Sequence, residues 1–121
     1  MKTGTRSIYP EVAVNWMLPG DNQLVLDVGS GSGGFAATIA GLGHRVYCVD
    51  NNIDRMRKLE QQLPGALPCV ARAESLPMRS YRFDAVTVQE SFTRFAPGLA
   101  LAEFARVLKP GGHLAVVFTS R

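Results

Sequence analysis

Cysteine is scarce in this chain, two residues in 121, and that scarcity excludes the small secreted domain held together by disulfides. Cys48 and Cys69 both fall in apolar runs that read as strands, so they are expected as buried free thiols rather than as a bridge or as metal ligands. Long hydrophobic runs are missing too. No stretch approaches the roughly 20 apolar residues that cross a bilayer, and Met1-Lys2-Thr3-Gly4 does not open a signal peptide. A cytoplasmic setting without membrane contact is the expectation. Charge of one sign is barely in excess, with 13 basic against 10 acidic residues and a net charge of +3. Arg55, Arg57 and Lys58 cluster, but without interleaved aromatic residues such a cluster reads as the solvated face of a helix and not as a nucleic-acid site. Repeats, low-complexity tracts and linkers are also lacking. His44 and His113 sit at strand starts, away from the glycine-rich turn described next, and are expected as surface or structural residues rather than catalytic ones.

What is present is a run from Leu24 to Gly34, Leu-Val-Leu-Asp-Val-Gly-Ser-Gly-Ser-Gly-Gly. Its apolar start reads as a strand buried on both faces, of the kind found in parallel sheets. Its glycines allow a sharp turn and a close approach of a ligand to the backbone. The helix expected from Gly34 would aim its free N–H groups and positive dipole end at the same spot. Asp27 at the strand tip costs desolvation energy unless something compensates it. It either caps turn N–H groups or faces a cationic ligand group. A second apolar run, Arg45–Val49, ends in Asp50 about 20 residues after the first glycine, the spacing expected for an acid that grips ribose hydroxyls.

Gly29, Gly31 and Gly34 also satisfy the G-x-G-x-x-G dinucleotide fingerprint, so a nicotinamide cofactor is one reading. A pyrophosphate near Asp27 would meet like-charge repulsion of about 1 kcal/mol or more at separations near 4 Å. S-adenosylmethionine carries an ammonium, a sulfonium and a ribose, and it suits acids at both strand tips.

Strand candidates at Leu24–Val28, Arg45–Val49, Leu67–Val70, Phe83–Val88 and His113–Phe118 alternate with helical patterns at Gly34–Leu42, Asp54–Leu63 and Gly98–Leu108. That alternation implies an α/β domain with a doubly wound parallel sheet and right-handed crossovers. Asp54 is suited to capping the second helix, and Pro64-Gly65 stops it. Lys109-Pro110-Gly111-Gly112 stops the third. Ser75 to Arg82 is too short and irregular for a full helix, so a loop crosses there. Residues 1–20 form an N-terminal segment with a short helix over Tyr9–Leu18, in which Trp16 packs rather than reacts, and residues 21–121 form the single domain.

Three stretches in this order and spacing, Val25–Gly33, Ala73–Pro77 with Phe83–Val86, and Arg106–Leu114, resemble the class I S-adenosylmethionine-dependent methyltransferases. The likeness is greatest to their small-molecule branch with the methyltransferase-11-like pattern and covers roughly residues 20 to 119. It implies a Rossmann-like sheet and an enzyme using S-adenosylmethionine. It implies that Asp27, Gly29 and Gly31, with Ser30 between the glycines, hold the methionine part of the cofactor. Asp50 would bind the ribose, and Asn51 and Ile53 would lie near the adenine. Family members usually carry an acid where this chain has Arg72, so adenine recognition falls to the Ala73 backbone or to Glu74. Gln89 matches the position whose carbonyl meets the cofactor's ammonium.

The chain stops soon after the fifth strand, where family members continue, so the expected sheet is truncated there. His113–Phe118 is nonetheless continuously apolar, the pattern of a covered strand, and an open strand of this kind invites aggregation. A two-fold mate or partner subunit is the expected cover. Glu90, Ser91, Phe92, Thr93 and Arg94 are the acceptor-side candidates. Glu90 is a candidate base, although orienting the loop is its commoner role. The expected activity is methyl transfer to a small-molecule acceptor. The alternatives are a cofactor-binding or regulatory subunit without its own chemistry and a nicotinamide-binding domain.

Overall fold

A computed structural model describes residues 17–18, 20–30, 33–88 and 97–116. Its elements run β1 (Leu24–Val28), α1 (Gly34–Gly41), β2 (Arg45–Asp50), α2 (Ile53–Gln62), β3 (Leu67–Val70), β4 (Phe83–Val88), α3 (Pro97–Val107) and β5 (Leu108–Val116). The strands form one five-stranded sheet in the order β3-β2-β1-β4-β5, every neighbouring pair parallel. Sequence order reverses beside β1, and that reversal opens a crevice at the carboxyl ends of β1 and its neighbours. The expected doubly wound α/β architecture is the one found. The N-terminal segment before Met17 lies outside the described residues. Among the described residues, no helix is long and apolar enough to cross a membrane.

Every residue of β1 is buried, because helices or loops cover both faces of the sheet. One face carries Val25, Val46, Cys48 and Ala85 against Phe35, Ala36 and Ile39 of α1 and Met56 and Leu59 of α2. The other carries Leu24, Leu26, Val49 and Val86 against Ala100, Phe104 and Val107 of α3 and against Ala73 and Leu76 of the loop between β3 and β4. Alternation along each strand sends successive side chains to opposite faces, so both core layers are written into the same apolar runs.

The N-terminal ends of the strands are tied together by polar contacts. Asp84 Oδ2 accepts the Leu24 N–H at 2.8 Å, and Lys109 Nζ donates to Asp84 Oδ1 at 3.2 Å. These contacts hold the Asp84 carboxyl below its ordinary range, the Leu24 hydrogen bond contributing most and Lys109 adding to it. His44 Nδ1 accepts the Gln23 N–H at 3.0 Å, so this histidine is buried and structural.

The structure differs from the sequence-based reading at several places. Cys48 is buried, as expected, but Cys69 is only partly so, because β3 is an edge strand. The cap of α2 is Asn52, whose Oδ1 accepts the Arg55 N–H at 3.0 Å. Asp54 lies inside the first turn instead, where its charge favours the positive helix end. The third helix ends at Val107, and β5 begins at once with Leu108. Phe83 pairs with Leu108 and Ala85 with His113, so the Lys-Pro-Gly-Gly turn bulges out of the ladder rather than preceding it. A Cβ on Gly112 would stand 2.9 Å from the backbone oxygens of both Asp84 and Lys109, so only glycine fits there. β5 lies at the sheet edge among the described residues. Leu114 on it is 38% exposed in the single chain.

Candidate functional site

β1 delivers the chain to the crevice and must turn there. Gly29 turns it with φ 73°, a left-handed conformation that glycine adopts without steric cost. The Gly29 and Ser30 N–H groups both donate to the Val49 carbonyl, at 2.8 and 3.2 Å, which locks the turn onto the end of β2. Ser30 Oγ donates back to the Asp27 carbonyl at 2.8 Å.

Asp27 itself is fully buried, and its Oδ1 accepts a hydrogen bond from Thr87 Oγ1 at 2.8 Å. Register explains the pairing, since Asp27 stands level with Cys48 on β2 and Thr87 on β4. The carboxylate therefore sits one step inside the strand end, beneath the turn. It helps push the neighbouring Cys48 thiol up to about 12. Burial is the larger cause, Asp27's charge adds to it, and a hydrogen bond with Ser30 opposes it. A thiol so placed stays protonated and unreactive.

Asp50 is the last residue of β2 and stands two residues beyond the level of Asp27. Its Oδ1 accepts the Asn52 N–H at 3.0 Å, and its Oδ2 faces Arg55 Nη1 at 3.6 Å. The Asp50 carbonyl accepts the Ala71 N–H at 3.1 Å, which ties the exit of β3 to the same corner. From Ala71 the chain runs without helix or strand, closing one small loop through the Ser75 N–H and the Arg72 carbonyl at 3.1 Å. Glu74 turns inward with its side chain 14% exposed, whereas Arg72 points out at 75%, their charged groups 3.9 Å apart. At that exposure and distance the ion pair contributes little.

These segments enclose a cleft of about 610 Å³, within the range of small-molecule and cofactor sites. Val28, Val49, Ala71 and Ala73 supply an apolar surface, and Asp50, Asn51, Arg55, Arg72 and Glu74 supply the polar one, with Gly29 at the turn. Of the candidate residues, Gly29, Asp50, Asn51, Ala73 and Glu74 line this cleft. Asp27 and Ser30 lie behind its wall. Ile53 opens α2 and is 51% exposed, outside the lining. Gly31, Gln89 and Glu90 lie outside the described residues. Sequence reasoning missed Arg55 and Thr87. Arg55 had been read as part of a solvated basic face, but the Asn52 cap places it in the first turn of α2, facing Asp50. Thr87 carries no signal until the β1–β4 register is known.

The chemistry of this donor and acceptor set fits a nucleoside. A buried carboxylate at a strand tip can accept from a vicinal diol, the apolar slot can take a flat base, and the loop backbone can read its edge.

A family model described as a methyltransferase domain matches residues 26–116. An uncharacterised methyltransferase of Mycobacterium tuberculosis is 34% identical over 116 residues, covering 96% of this chain and 48% of that protein. The chain thus spans about half the length of the curated relatives it matches. Among solved structures, a Pyrococcus horikoshii protein is 28% identical with a TM-score of 0.83, over 90% of this chain and 54% of that one. A putative type II methyltransferase from Anaeromyxobacter dehalogenans is 26% identical with a TM-score of 0.85, over 96% and 50%.

Proposed function

This chain belongs to the class I S-adenosylmethionine-dependent methyltransferase family, and on that premise we propose that its cleft binds S-adenosylmethionine and serves methyl transfer to a small-molecule acceptor. The observation that carries the reading is the Asp50 carboxylate, buried at the end of β2 in the wall of a nucleoside-sized cleft. In this reading Asp50 accepts the ribose hydroxyls, with Arg55 close enough to steady its second oxygen. Asn51, the Ala73 backbone and Glu74 flank the base. Gly29, Ser30 and Gly31 are assigned to the methionine part, with the charge of the buried Asp27 favouring a cationic ligand. Gln89 is assigned to the cofactor's ammonium and Glu90 to the acceptor side.

The bound cofactor supplies a methyl group on a positively charged sulfur. The chain supplies position and a partly dehydrated setting, which are the larger part of what an in-line displacement requires.

Titration calorimetry with S-adenosylmethionine, S-adenosylhomocysteine and NAD tests the cofactor. Binding of the two sulfur nucleosides without NAD is the expected result, and tight binding of NAD alone would reverse the choice. Release of S-adenosylhomocysteine in the presence of an acceptor panel then separates an enzyme from a cofactor-binding subunit.

A further inference from the structure

We propose that Glu103 and Arg106 of α3, neither of which lines the cleft, are positioning residues for its base-side wall. This rests on the cofactor reading above. The wall from Ala71 to Glu74 has no regular secondary structure, so its shape depends on how its two ends are held. One end is fixed by the Ala71 N–H on the Asp50 carbonyl at 3.1 Å. The other is fixed two residues past Glu74, at Leu76, where both flanking backbone groups are engaged. The Leu76 N–H donates to Glu103 Oε1 at 2.7 Å, and the Leu76 carbonyl accepts from Arg106 Nη2 at 3.0 Å.

Glu103 and Arg106 in turn lock each other. Arg106 Nε donates to Glu103 Oε2 at 2.8 Å, and Arg106 Nη2 donates to Glu103 Oε1 at 3.0 Å. This two-point pairing fixes the planes of both groups as well as their separation. The Arg106 carbonyl also accepts the Tyr81 N–H at 3.0 Å, so the loop is pinned again further along. Ala73, between the two anchors, and Leu76 itself are buried in the same core layer as Phe104, which leaves the wall little freedom to drift.

A partly exposed ion pair adds little to global stability, so stabilising the fold does not account for the pair's orientation onto one peptide segment. Holding a loop in its binding shape before the ligand arrives is what such a clamp does well, because the ordering cost is then not charged against affinity. Releasing it should weaken ligand binding by roughly 5- to 30-fold through the freedom returned to the few residues of the wall.

The test measures S-adenosylhomocysteine affinity and amide hydrogen exchange for the wild-type chain, Glu103→Ala, Glu103→Gln and Arg106→Ala. Asp84→Asn, at the opposite end of the sheet, serves as a control. The expected result is a weaker Kd and faster exchange over residues 71–76 in Glu103→Ala and Arg106→Ala, with β1 exchange unchanged. Glu103→Gln, which keeps an acceptor for the Leu76 N–H, should fall between. Asp84→Asn should lower the melting temperature without changing Kd, which separates positioning from mere stabilisation. If Glu103→Ala does not fold, Glu103→Gln carries the comparison. Unchanged Kd and exchange in folded variants, beside a binding wild type, would overturn this proposal alone. A wild type that binds no S-adenosylhomocysteine would overturn the cofactor reading, and the exchange data would still decide whether the clamp holds the wall.

Discussion

The two ends of the sheet solve opposite problems. At the N-terminal ends of the strands, side chains close off backbone groups: Asp84 takes the Leu24 N–H, His44 takes the Gln23 N–H, and Lys109 closes over Asp84. At the C-terminal ends of β1, β2 and β3 the chain leaves the sheet around a cleft, with two acids, two arginines and backbone in its wall. A parallel sheet leaves both rows of ends to be satisfied, and this chain spends side chains on closing one while the other stays open to a ligand. Stability should therefore respond mainly at the closed end and binding mainly at the open one.

The largest effect should come from Phe83→Ala, which removes a fully buried ring that meets Tyr47 edge-on at 5.4 Å where β4 begins. Unfolding in urea should show a loss of about 3–5 kcal/mol, while the folded fraction keeps its affinity for S-adenosylhomocysteine. At the open end, Asp50→Ala should weaken binding by about 1.5–3 kcal/mol, the range for hydrogen bonds to a charged group, with little change in melting temperature. Calorimetry that found the affinity intact would show that the ribose is held elsewhere. Thr87→Val tests the boundary between the two regions, since it strips a donor from the buried Asp27 carboxylate. A stability loss of about 1–3 kcal/mol is expected in chemical denaturation.

The smallest effect concerns pH. Asp84 and Glu103 are both held below their ordinary range, Asp84 chiefly by the Leu24 N–H and Glu103 chiefly by Arg106. Carboxyls lowered in the folded state contribute stability that is complete above their unfolded values and lost as pH falls through their folded ones. The melting temperature should therefore stay level down to about pH 5 and fall below about pH 4. Asp84→Asn should flatten part of that fall in a melting series from neutral to acid.

Some of the site was legible in the chain and some was not. Asp50 could be named because an acid ending an apolar run after a glycine turn has few structural uses. Asp27 could be named because a carboxylate in a strand buried on both faces needs compensation, but its burial beside Thr87 could not, because that depends on the register of β1 against β4. Arg55 was misread, since a charge pattern along a helix does not say which residue meets the neighbouring strand tip. The Asn52 cap decided that by shifting the helix start ahead of Asp54. The Lys-Pro-Gly-Gly turn was visible as a break, but its place as a bulge in the β4–β5 ladder was not, because pairing partners lie outside the local pattern.

By itself the order of apolar runs, glycine turns and amphipathic stretches determined the parallel, doubly wound sheet, since runs buried on both faces and separated by helices have few other ways to hide their side chains. Tertiary structure alone decided which acid reaches the cleft, which is buried behind it, and which distant pair on α3 holds the wall. Those outcomes turn on register and on contacts between residues far apart in the chain, and a shift of a single residue along a strand would send each side chain to the other face.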